Sequence, residues 1–254
     1  MDTRKQLLVF ALLLITDALL VFVTYLWFPF EEIAAGQPVS PTLAAIPRWQ
    51  LGLANGALVL VLYGVLGVIG LWFGRRLALP GVYRPGAGWR NWFWSPMLLG
   101  IGLGILLIVG DQLFALLAHW GGFPHPAFPL SIIASATAGI GEEILFRLFV
   151  LGLWAFLLNL ILRHWSATPL ALWIGNIIAA LAFGAAHLPT AMILLNVSSP
   201  AQLPPFILVE LFLLNGILGI VAGARYMRDG YIAAVGIHFW GDVAWHVVWP
   251  LVRG

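Results

Sequence analysis

The chain has 254 residues, 62% of them hydrophobic and 9% charged, with a mean hydropathy of +1.00. A soluble domain of that composition could not cover itself with polar surface, so residues 1–254 read as one integral membrane domain. The net charge of +2 comes from arginines spread along loops, which argues against nucleic acid as a partner and for the lipid bilayer, and the lack of cysteine excludes disulfides, thiolate metal sites and a cysteine nucleophile.

In chain order, Arg4 and Lys5 precede an apolar run from Leu7 to about Phe28. That run is longer than a signal-peptide core of about 7 to 15 residues and ends without a small-residue cleavage site, so it reads as a retained first transmembrane helix. Apolar windows of about 20 residues then recur, giving spans near 6–28, 51–73, 95–118, 129–162, 168–188, 204–224 and 230–252. The expected fold is an all-α, polytopic bundle of about seven to eight helices. The fourth span is too long for one straight crossing, so it is either steeply tilted or broken near Gly139 and Gly141, which would make the eighth segment. "AMILLN" at 191–196, bracketed by Pro189 and Pro200, is a candidate re-entrant piece. Glycine runs at 52–56, 64–70 and 100–104 read as places where helices approach closely. Glu31 and Glu32, at the end of a span beside Pro29, read as interfacial.

The basic residues fall on alternate loops, with Arg48 and Arg253 as exceptions, which predicts a cytoplasmic N-terminus. The expected location is a multi-pass position in a bacterial or archaeal cell membrane.

Within the spans lie Asp17, Asp111, Glu142, Glu143, Glu210 and Asp242, together with Arg147, His187, His238 and His246. Each ionisable group at mid-membrane costs about 2.5–3.5 kcal/mol to insert, so each demands a reason. In "GIGEEILFR" (139–147), Glu143 and Arg147 are four apart on one helical face and can neutralise each other. Glu142 points about 100° away and has no cation at helical reach, which frees it for a separate polar cavity and for general-base work. In "AFGAAHLP" (182–189), Phe183 precedes His187 by one turn. In "GIHFWGDVAWH" (236–246), His238, Asp242 and His246 form one stripe, which reads as a buried hydrogen-bond ladder or as metal ligands. His246 taken alone reads as a packing or interfacial residue.

"EEILFR", "FGAAH" and "HFWGD" resemble, in order, the EExxxR, FxxxH and HxxxN/D motifs of the CPBP family. That family of intramembrane proteases includes the type II CAAX prenyl endopeptidases and bacteriocin-processing or immunity proteins. The resemblance covers about 129–250, the motif-bearing core, and implies a polar cavity inside the membrane. By motif position it implies that Glu142 and His187 activate the attacking water, that His238 and Asp242 bind a metal or hold the oxyanion, and that Glu143, Arg147 and Phe183 shape the site. A divalent metal such as zinc held by His187, His238 and Asp242 and a metal-free glutamate mechanism fit these residues equally. Asp242 stands where asparagine is common; an ionised aspartate there would repel an oxyanion unless protonated, paired with His238 or bound to a cation.

The expected activity is that of an intramembrane endopeptidase acting on a membrane-associated protein or peptide. The competing readings are a proton- or cation-coupled transporter, since Asp, Glu and His chains also build ion pathways, and a non-catalytic scaffold of the same fold.

Overall fold

The computed structural model describes residues 3–28 and 41–253, so Glu31 and Glu32 lie outside the described residues. Six helices are long and apolar enough to cross a bilayer: α1 (Thr3–Trp27), α2 (Arg48–Arg76), α3 (Arg90–Ala118), α4 (Leu130–Trp165), α5 (Thr168–Leu194) and α6 (Pro205–Asp229). A further long helical run, α7, covers 231–253 and is made more polar by its own His238, Asp242 and His246. The described residues contain no strand. Among them these seven helices make the chain an all-α, multi-pass integral membrane protein.

One expectation about a chain break is corrected. The fourth span is not divided at Gly139 and Gly141: α4 runs through both as one 36-residue helix. At about 1.5 Å per residue it exceeds a core of about 30 Å, so it must tilt or project past the core. What it carries instead of a break is a π-helical stretch, Ile144–Leu151. The stretch expected as a short piece at 191–196 overlaps a seven-residue helix, Leu188–Leu194, that follows Ala186 after a turn at His187. Pro189, which lacks an N–H, sits in the first turn of that segment, where a missing donor costs little.

Small residues set the packing, as expected where lipid removes the hydrophobic drive between helices. A Cβ on Gly52 or Gly56 of α2 would stand 2.9 Å from the Phe22 carbonyl oxygen or 3.0 Å from that of Ala18, both on α1. Gly70 of α2 lies against the backbone of Leu148 on α4, and Gly100 and Gly104 of α3 would each place a Cβ 2.5 Å from a carbonyl oxygen of α7, those of Ile237 and Gly241. At one end of the bundle the turn after α2 is tied to two other elements. Val82 donates its N–H to the Gln6 side chain at 2.7 Å, and Tyr231 and Ile232 donate theirs to Gly81 and Val82 at 2.9 Å. That end also carries Arg75, Arg76, Arg225 and Arg228. At the opposite end the loop between α3 and α4 folds inward, with the Phe123 N–H bonded to buried Asp111 at 3.0 Å.

Candidate active site

The site is built where α4, α5, α6 and α7 meet. Glu142 and Glu143 are the last residues before the π-helical stretch of α4, and Asp242 is the last before a second one, Val243–Val248, on α7. A π turn inserts extra backbone into the helix and re-aims the side chains that follow it. Arg147 and His246 both lie on these widened turns.

Glu143 and Arg147 are wholly buried, and the Arg147 Nε donates to Glu143 Oε2 at 2.9 Å. The sequence spacing predicts that pair. It does not predict the second bond of the same carboxylate, in which Glu143 Oε1 accepts from His238 Nδ1 at 3.0 Å. Glu143 thus ties α4 to α7 and fixes the ring of His238 so that Nε2 faces the other way. There it looks at two carboxylates, Asp242 Oδ2 at 3.6 Å and Glu142 Oε2 at 3.9 Å. Asp242 therefore pairs with His238, one of the three ways its charge can be accommodated.

Phe183, 1% exposed, forms the partition between the two histidines. Its ring meets His187 and His238 edge-on, with centroids 5.0 and 5.4 Å away, and the Arg147 guanidinium lies 5.5 Å over it. His187, at the turn that interrupts α5, donates Nδ1–H to the Phe183 carbonyl at 2.8 Å, which leaves Nε2 as the nitrogen with a free lone pair.

Glu142, His187, His238 and Asp242 all line one cavity of about 690 Å³ with a largely apolar wall. The four come from three helices well separated in sequence and share that space.

His246 lines the same cavity, and its Nδ1 lies 2.9 Å from Nδ1 of His125, on the loop between α3 and α4. Sequence reasoning missed His125, because a loop position between two prolines carries no periodic signal. Burial holds the His125 imidazole below the usual histidine range, against the pull of Asp111. Asp111 accepts from Gln112 and Phe123 and so anchors that loop, and Glu210 lines the cavity.

The donor set can be tested for a metal. His187 and His238 each have Nδ1 engaged by an oxygen acceptor, the arrangement that orients imidazoles toward a cation. Among the described residues, however, no three His, Asp or Glu side chains are placed to hold one ion. The side chains as they stand therefore do not fit a metal held jointly by His187, His238 and Asp242.

Residues 124–244, from that loop into α7, match the family model for type II CAAX prenyl endopeptidase Rce1-like proteins. Over that stretch, a little under half of the chain, it is similar to those proteins. No curated protein and no solved structure matches it. The matched stretch contains every motif residue from Glu142 to Asp242.

Proposed function

We propose that this protein is a CAAX-protease-like intramembrane endopeptidase that hydrolyses a peptide bond of a membrane-associated protein or peptide. The observation that supports it best is the division of labour between adjacent carboxylates. Glu143 is committed to Arg147 and His238, while Glu142, hydrogen-bonded to neither, faces the cavity beside His238 and Asp242.

In this reading Glu142 removes a proton from water as the hydroxide adds to the scissile carbonyl carbon. His187 Nε2 accepts a hydrogen bond from that same water and orients it. His238, as an imidazolium donating Nδ1–H to Glu143, presents Nε2–H to the oxyanion, and Asp242 balances its charge. When the C–N bond breaks, Glu142 returns its proton to the departing amine, so the residues end as they began. The apolar wall suits an unwound membrane segment and keeps bulk water from the groups that must act on one water molecule.

The test is to incubate purified protein with a peptide library, wild type beside Glu142→Gln. The substitution keeps shape and hydrogen bonding but removes the base. Wild-type cleavage that disappears in the variant is expected; equal cleavage by both would overturn the assignment. Ion flux without cleavage would favour a transporter, and neither activity a scaffold.

A further inference from the structure

Asp17 stands apart from every motif. It is the one Asp or Glu on α1, 1% exposed in the middle of an apolar span, and neither carboxylate oxygen has a hydrogen-bond partner. An orphaned carboxyl at that depth is costly, and apolar α1 offers nothing in return. Its surroundings give it a purpose. A Cβ on Gly141 would stand 3.2 Å from Asp17 Oδ2 and 2.5 Å from the Tyr63 ring, so glycine is what lets both side chains lie against the backbone just before Glu142. Asp17, Tyr63, Thr137 and Glu142 line a partly open chamber of about 230 Å³, and Glu142 and Thr137 also line the large cavity. Glu142 is therefore a wall between two spaces. Tyr63 interacts electrostatically with both carboxylates, and Glu142 Oε2 is itself buried without a hydrogen-bond partner.

We propose that this chamber behind Glu142 holds water, and that Asp17 and Tyr63 are positioning residues which use that water to fix the Glu142 carboxylate from behind. At about 30 Å³ per molecule the space takes several waters, and four polar side chains give them the two to four partners that an ordered water needs. With the carboxylate held through this network, Glu142 keeps one orientation toward the large cavity. The positioning role rests on the peptidase reading; the hydrated chamber does not.

Two experiments test it. The chain has no cysteine, so a single introduced thiol reports without background. Val59 lines the chamber and not the large cavity, while Val61 is 65% exposed on the lipid-facing surface of α2. In the full-length protein in bilayers, Val59→Cys is expected to react with a small charged methanethiosulfonate at least about tenfold faster than Val61→Cys, because the thiolate that reacts forms only in water. Equal rates would overturn the chamber.

The second experiment separates positioning from scaffolding. Asp17→Leu removes an orphaned buried carboxyl from an apolar helix, so its Tm should equal or exceed wild type. Its kcat should fall about tenfold or more at unchanged KM, as expected when a reacting group is misplaced. Asp17→Asn, which can still bond the water, should recover most of that loss, and Tyr63→Phe should lose kcat in the same sense without disturbing α1. Unchanged kcat in Asp17→Leu, or a fall in Tm together with kcat and KM, would overturn the positioning role. If wild type cleaves no peptide while Val59→Cys labels rapidly, the peptidase reading has failed and the chamber stands.

Discussion

Glu143 accepts from two cations or potential cations on two helices, and the consequences of removing either partner differ sharply from those of altering its neighbour. Arg147→Leu leaves Glu143 as a buried carboxylate with only His238, and takes the guanidinium from the face of Phe183. Breaking a buried pair in this way costs about 3–5 kcal/mol. Glu142→Gln leaves the Glu143 bonds untouched and should keep the wild-type Tm. Thermal unfolding in detergent is expected to separate the two variants clearly, and equal melting temperatures would contradict a stabilising pair. At this scale the sequence is informative wherever partners share a helix: the spacing from Glu143 to Arg147 and from Phe183 to His187 places each pair on one face. The bond from Glu143 to His238 spans 95 positions and depends on how α4 meets α7, which no local pattern encodes. The same holds for His125 and His246, 121 positions apart.

At the scale of elements, apolar length locates the spans, because about 20 consecutive apolar residues find no better environment than the bilayer core. The π-helical turns are not legible, since "ILFRLFVL" and "VAWHVV" are largely apolar runs whose hydropathy is the same in either helix type. Glycine spacing is more telling. A side chain at Gly100 meets the backbone of Ile237, the residue before His238, and backbone cannot step aside. Gly100→Leu is therefore expected to push α3 off α7, lower Tm and abolish whatever activity depends on the His238 ring. Gly102 lies on the same helix, and a Cβ there would have nothing within 4 Å, so Gly102→Leu should behave as wild type. Equal losses in both would mean that helix propensity, and not the contact with α7, governs the result.

Considered whole, the molecule builds its cavity from more than the family-matched residues. Val21, Thr24 and Tyr25 of α1 line it although the match begins at residue 124, so the motifs locate the reacting groups but not the full enclosure. The enclosure is completed by the loop between α3 and α4, where His125 bonds His246 and packs edge-on against Trp245 at 5.5 Å. That contact should make the fold sensitive to mild acid. Burial holds His125 below its ordinary value of 6.5, with Asp111 opposing and Arg253 reinforcing the shift. The unfolded chain therefore binds this proton more readily than the folded one. The stability His125 contributes is complete above about pH 6.5 and declines as pH falls toward the lower folded value. Asn at this position keeps a polar atom near the place of Nδ1 but does not titrate. The Tm of wild type is expected to drop more steeply than that of His125→Asn between about pH 8 and about pH 5, with the two curves diverging only below about pH 6.5. Parallel curves across that window would show that the loop contact does not depend on a neutral His125.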